Sequence, residues 1–197
     1  MSVDTALSKS MSETQRLQNL SEDELSMELL SQGVSVLLFG EILRRYQKQI
    51  YYHCRNLLVN HDDSDDAAQN TFIKVWQNLA QFKGESRLRT WVYRIATNES
   101  INLLRKRKPT IDFDEAQPEM AEMIGEEMYL SGDEIALKLQ KALCYLPFKQ
   151  KLVFTLRYFE DLSYDEIATL TSTSEGALKA SYHHAVKKLE IYLGVLR

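Results

Sequence analysis

A chain of 197 residues with 44% hydrophobic and 26% charged residues has the make-up of one or two packed domains, and none of its apolar runs approaches the length of a membrane-spanning helix. Its two cysteines, Cys54 and Cys144, sit among apolar neighbours far apart in sequence, which argues against a disulfide framework or a zinc site. The net charge of −4 argues at first against a nucleic-acid partner, but from Lys83 to Lys108 eight basic residues face two acidic ones, and from Pro109 to Glu134 there are nine acidic residues and no basic ones.

Residues 1–20 are polar and without clear periodicity, so a flexible tail is expected there, and the absence of a signal-peptide pattern points to the cytoplasm. Ser21 and Glu24 form a Ser-x-x-Glu capping box ahead of Leu25, Leu29 and Leu30. After Gly33 a second helix brings Leu38, Ile42, Tyr46, Ile50, Cys54 and Leu57 to one side, and Asn60 to Ser64 read as the loop that ends it. The next helix, Asp65 to about Ala80, is expected to bury Ala68, Phe72, Val75, Trp76 and Leu79. Opposite lie Asp66, Asn70, Ile73 and Gln77, and an isoleucine among carboxylates and amides has the mixed character of a docking surface. A surface helix with one stray isoleucine accounts for the same pattern.

Phe82 to Glu85 read as a loop, and Ser86 is placed to cap a long helix reaching Arg105 or beyond, with Leu88, Trp91, Val92 and Ile95 as its core stripe. Arg87, Arg94, Asn98 and Arg105 fall within about 20° of a common direction on an ideal wheel and run towards the cluster Arg105-Lys106-Arg107-Lys108. Such a ladder suits phosphates and bases; a solvated helix edge is the alternative. Pro109 stops the helix, and the acidic stretch to about Gly132 reads as a flexible linker in which Met120, Met123, Ile124 and Met128 form at most a weak local helix.

Folding is expected to resume near Asp133, with Ile135, Leu139, Leu143 and Leu146 at helical spacing and a further helix after Pro147. From Leu162 to Leu189 the chain reads as two helices joined by a tight turn. A second capping box, Ser163 and Glu166, opens the first, and Ser174 caps the second. Leu178, Tyr182, Ala185 and Leu189 share the back of that second helix, while Gly176, Ala180, His183 and Lys187, flanked by Lys179 and His184, form a small, basic front that suits the DNA major groove. An ordinary helical hairpin with a solvated basic face is the competing reading. The fold class is therefore all-α: a tail (1–20), a helical domain (21–108), an acidic flexible linker (109–132) and a helix-turn-helix domain (133–197). No glycine-rich phosphate loop, metal-spaced cluster or nucleophile paired with a base points to an enzyme.

With these residues in hand, the chain resembles an extracytoplasmic-function (ECF) sigma factor of the bacterial sigma-70 family. DDAAQNTFIKVW (residues 65–76) is similar to the family's core-polymerase-binding segment, and FKGESRLRTWVYRIATNESINLLRKRK (82–108) to its promoter-melting segment. LPFKQKLVFTLRYFEDLSYDEIATL (146–170) resembles the approach to the family's helix-turn-helix. The resemblance implies that Asp65, Asp66, Gln69, Asn70 and Ile73 dock on the clamp coiled coil of RNA polymerase core, with Asn70 standing where glutamate is usual. It implies that Lys83, Arg87, Arg89, Arg94, Asn98, Arg105 and Lys106 serve the −10 element and melting, the Phe82–Arg89 loop holding a nontemplate base turned out of the stack. Ser174, Gly176, Lys179, Ala180, His183, His184 and Lys187 would read the −35 element of promoter DNA, with His184 where a basic residue is common. An anti-sigma factor as partner, no cofactor and no membrane-integral segment complete the expectation. The linker would thread polymerase clefts or serve only as a spacer. The rival reading is a helix-turn-helix regulator whose first domain senses a ligand or dimerises; it leaves the basic ladder of the first domain without a use.

Overall fold

The structure is a computed structural model that describes residues 3–107, 112, 114–122, 124 and 134–194. Among these residues all regular structure is helical: α1 (Val3–Asn19), α2 (Glu22–Gln32), α3 (Val36–Leu58), α4 (His61–Asn78), α5 (Leu88–Arg107), α6 (Glu134–Cys144), α7 (Phe148–Phe154), α8 (Tyr164–Thr171) and α9 (Glu175–Tyr192). None of these helices is long and apolar enough to cross a membrane. Lys108, Met123, Met128, Gly132 and Asp133 lie outside the described residues.

The expected caps form. Ser21 Oγ accepts the Glu24 amide at 3.2 Å while Glu24 accepts the Ser21 amide at 2.7 Å. Ser163 and Glu166 repeat the arrangement, and Ser174 Oγ accepts the Ala177 amide at 3.4 Å. Two boundaries differ from expectation. Helix α4 starts at His61 rather than Asp65, because Asn60 Oδ1 accepts the Asp63 amide at 3.0 Å and Asp62 and Asp63 place negative charge in the first turn. Helix α5 starts at Leu88, two residues beyond Ser86.

The first 20 residues depart from the expected tail. Residues Val3–Asn19 form α1, whose Leu17 is buried, and the Arg45 guanidinium donates to the Leu17 and Leu20 carbonyls at 2.9 and 2.7 Å. A cation placed on the free carbonyls of a helix end satisfies them and complements the dipole there. The interaction spans residues 25 to 28 apart in sequence, beyond the reach of a local pattern.

Helices α3, α4 and α5 pack on one another, and α9 packs on both α7 and α8. What the hydrophobic pattern does not foretell is that the two groups share a core. Phe148, Leu152, Leu156, Leu162 and Ile167 of the second group lie in one continuous cluster with Leu57, Val92 and Ala96 of the first. Part of the acidic segment is built in as well. Gln117 donates its backbone amide to the Cys144 carbonyl at 3.1 Å, and Ala121 and Ile124 are buried with Val59, Leu137 and Cys144. Both cysteines are free and buried.

Lys151 of α7 crosses between the groups, donating to the Leu57 carbonyl at the end of α3 at 3.0 Å. Burial lowers its pKa below the ordinary 10.5. Between the folded and unfolded values the unfolded chain binds more protons at this site, so this group's contribution to stability rises with pH through that window. Denaturant titrations at neutral pH and at about pH 10 should therefore show wild type gaining stability relative to Lys151→Met. A difference that does not change with pH would contradict the buried ammonium.

Candidate polymerase and nucleic-acid interfaces

On α4, Asp65, Asp66, Gln69, Asn70 and Ile73 are all exposed, because Ala67, Ala68, Thr71, Phe72 and Val75 take the inward positions. Asp65, Gln69 and Ile73 line a groove of about 810 Å³ between α3 and α4, with Phe39, Leu43, Tyr51, Phe72 and the exposed Tyr52 as its apolar lining. Asp66 and Asn70 are exposed but are not among the residues lining it. Trp76 departs from expectation: it is 43% exposed on the groove wall, edge-on to Phe39 at 5.0 Å, and it is Val75 that fills the core. An open apolar groove whose polar rim is Asp65, Lys48 and the amides of Gln47, Gln69 and Gln77 fits a helical partner with an apolar ridge and polar flanks.

Lys83, Arg94, Asn98 and Arg105 meet along one cleft of about 850 Å³, so most of the ladder is real. Its walls also hold Phe82 and Trp91, with ring centroids 5.5 Å apart, and Ile95, which the sequence pattern assigns to the core. The reason is the composition of α5: its buried face continues from Leu88 and Val92 through Tyr93, Ala96, Thr97 and Ser100 to Leu104. Small and hydroxyl-bearing residues, with Ser100 Oγ bonded to the Ala96 carbonyl at 2.9 Å, let the neighbouring helices close and leave Trp91 and Ile95 half-buried at the cleft. Cations beside the half-buried Trp91, which is backed by the buried Phe82, can hold both the backbone and a stacked base of a single strand. Lys106 is exposed beyond this cleft, and Arg107 pairs with Asp63 at 2.6 Å.

Arg87 and Arg89 do not join the ladder. Arg87 faces Glu166 of α8 at 3.5 Å. Arg89 is half-buried, and its guanidinium donates to the Glu160 carbonyl. Around that contact the two helical groups are joined by polar groups that lack full solvation. The Glu160 side chain, 6% exposed, accepts a hydrogen bond from the Tyr93 hydroxyl. His53, wholly buried, places Nδ1 3.8 Å from the same carboxylate and pairs Nε2 with Thr97 Oγ1 at 2.9 Å. Burial, and then the Glu160 charge, push the Tyr93 hydroxyl well above its ordinary value, which keeps it a proton donor. Glu166, raised by burial but lowered more by its Ser163 bonds and by Arg87, stays below the usual carboxylate range. Gln140 Nε2 donates to Asn56 Oδ1 at 2.6 Å across the same boundary.

On α9, Ser174, Gly176, Lys179, Ala180, His183, His184 and Lys187 are all exposed, while Leu178, Ala185 and Leu189 are buried. Lys179 pairs with Glu175 at 2.9 Å and lies over the Tyr164 ring. No group of three or more potential metal ligands occurs among the described residues.

Residues 42–110 match the family model of sigma-70 region 2, and residues 136–189 match that of sigma-70 region 4. The chain belongs to the sigma-70 family. It is 32% identical over 164 residues to the ECF RNA polymerase sigma factor SigW of Bacillus subtilis, spanning 77% of this chain and 86% of that one. To the ECF RNA polymerase sigma-E factor of Escherichia coli it is 27% identical over 178 residues, 85% and 92% of the two chains. The fold is similar to that of the sigma factor RpoE of Bartonella quintana, solved in complex with the anti-sigma factor NepR, with a TM-score of 0.65 at 24% identity over 81% of this chain and 98% of that one. CnrH, solved with the cytosolic domain of CnrY, gives the same TM-score at 22% identity over 89% and 99%. The protein is thus an ECF sigma factor, a transcription initiation factor that binds RNA polymerase core, directs it to promoters and promotes DNA melting.

In this sigma factor Glu160→Ala removes the acceptor of the Tyr93 hydroxyl, and a buried bond to a charged group is worth about 1.5–3 kcal/mol. Small-angle scattering should show a larger radius of gyration with helix content kept, whereas Lys106→Ala should leave the radius unchanged. An unchanged radius in Glu160→Ala would show that Glu160 does not hold the two groups together.

Proposed function

We propose that residues 21–108 and 133–197 act as two separable domains, and that the compact arrangement is the resting form of the sigma factor. Elements named for positions about 10 and 35 base pairs before the start lie about 85 Å apart along duplex at 3.4 Å per pair. Here α5 and α8 are in contact, so both readers cannot reach such elements at once. The 26 residues between Arg107 and Glu134 span at most about 90 Å when extended, enough for the halves to separate. Their acidity suits the basic clefts of a polymerase that otherwise carry nucleic acid.

Core polymerase docks its clamp coiled coil on the groove between α3 and α4, with Asp65, Gln69 and Ile73 at its rim and Asp66 and Asn70 beside it. The single observation that carries the assignment of melting to α5 is the cleft that unites Lys83, Arg94, Asn98 and Arg105 with Phe82 and Trp91. There the melted nontemplate strand is held better than duplex, so the open state gains population. Once the halves part, Arg87 and Arg89 are released to the strand, with Lys106 on the phosphates beyond it. The front of α9, from Ser174 and Gly176 through Lys179, Ala180, His183 and His184 to Lys187, enters the major groove of the upstream element. All of this is binding work in the cytoplasm, with no chemistry by the sigma factor itself. An anti-sigma factor, the kind of partner with which RpoE was solved, holds the resting form until a signal releases it.

Transcription from fragmented genomic DNA with added core polymerase should yield start sites that depend on the protein, and their absence would overturn the reading. Arg105→Ala with Lys106→Ala should weaken promoter binding evenly across sequences and make its salt slope shallower by about 2, one phosphate for each cation; an unchanged slope would rule out phosphate contact there. Asp66→Ala with Ile73→Ala should lower core affinity and leave upstream-element binding intact. A parallel fall in both affinities would point to a folding defect and against a docking role.

A further inference from the structure

Helices α1 and α2 precede the segment matched to region 2, which begins at residue 42. Yet α2 reaches the loop assigned above to the melted strand. Its anchor is ordinary packing, with Leu25 and Leu29 buried in the shared core. From that anchor it touches the 84–89 segment at two points.

At the start of α2, a Glu22 carboxylate oxygen accepts the Arg89 backbone amide at 3.0 Å. Arg89 is the second residue of α5, and the first-turn amides of a helix have no acceptor within it. A carboxylate brought in from another helix satisfies one such donor and sets negative charge where the dipole is positive. Towards the end of α2, Leu30 covers Gly84 so closely that a Cβ on Gly84 would lie 2.9 Å from Leu30 Cδ1. Gly84 itself has φ +72°, in the left-handed region that favours glycine. Leu30 remains 50% exposed, so its contribution to the core is small and its close neighbour is the loop. Glu22 and Leu30 are separated by about 12 Å along the helix at 1.5 Å per residue. The segment is held at both ends, and between them Glu85 and Ser86 line the cleft.

We propose that α2 is a positioning element for strand recognition: Glu22 and Leu30 hold the 84–89 segment in the shape that receives an unstacked base, and so set selectivity for melted promoter without touching DNA. The proposal rests on the reading that the Phe82–Arg89 loop holds the nontemplate strand.

The test uses full-length protein bound to core polymerase, titrated with a fluorescent single-stranded oligonucleotide that carries the nontemplate sequence upstream of a mapped start site, and with a copy bearing one changed base in the −10 element. Glu22→Ala and Leu30→Ala should each weaken binding of the matched strand about five- to tenfold and shrink the ratio of matched to mismatched affinity. Glu22→Gln, which keeps an accepting oxygen, should recover part of the loss. Gly84→Ala should also weaken binding, and the double variant Gly84→Ala with Leu30→Ala should lose less than the two single changes combined, because the clash is between those two residues. Core affinity should stay at the wild-type level throughout. Unchanged selectivity in these variants, or a loss of core affinity equal to the loss in strand binding, would overturn the proposal. Failure of the wild-type complex to bind any single strand would instead overturn the reading of the loop.

Discussion

A buried carboxylate, Glu160, sets how the two halves of this sigma factor meet. It sits where the first half offers the Tyr93 hydroxyl and the His53 ring, while its own backbone carbonyl takes the Arg89 guanidinium. Burying a charge is costly unless it is paired and hydrogen-bonded, so this contact holds only while those partners stay in register. Lys151 on the Leu57 carbonyl and Gln140 on Asn56 extend the same boundary. Each of these groups would regain water if the halves parted as proposed. These polar contacts lie beside the shared apolar cluster of Leu57, Val92, Ala96, Phe148, Leu152, Leu156, Leu162 and Ile167, so separating the halves also requires that apolar surface to be covered by new partners.

The constraint acts through α5, which has three tasks on three sides. Ala96, Thr97 and Ser100 are small enough to let it close on its neighbours. That closeness turns Trp91, Arg94, Ile95 and Asn98 to the open cleft. Its start meets α8, where Arg87, one residue ahead of the first turn, faces the capping carboxylate of Glu166. Arg89 is thus half-buried against the second half in the compact form, whereas Arg87 stays exposed beside Glu166. On the proposed reading, holding the halves together and reading promoter DNA compete for the Arg89 guanidinium.

Much of this was legible in the sequence because the signals are local. Capping boxes at Ser21 and Ser163, the Ser174 cap and the helical spacing of Leu178, Ala185 and Leu189 fix elements within a few residues, and the exposed face of α4 follows from the same spacing. What was missed depends on contacts distant in the chain. Trp76 and Trp91 look like core on a wheel, and only the neighbouring helices decide that they line a groove and a cleft. Sequence patterns treat Arg89 and Glu160 as solvated, yet the Arg89 guanidinium donates to the Glu160 backbone carbonyl across 71 positions. The acidic segment (109–132) reads as spacer because seven acidic residues and no basic ones dominate its charge, while the apolar Ala121 and Ile124 that dock it are few.

On this account the sigma factor rests closed and works open. Dyes on Asp62→Cys and Ile191→Cys, both at exposed positions, report the separation of the halves, because Cys54 and Cys144 are buried. Energy transfer should be constant in the free protein and should fall when core polymerase and a mapped promoter are added. Initiation from that promoter with no change in transfer would contradict the account.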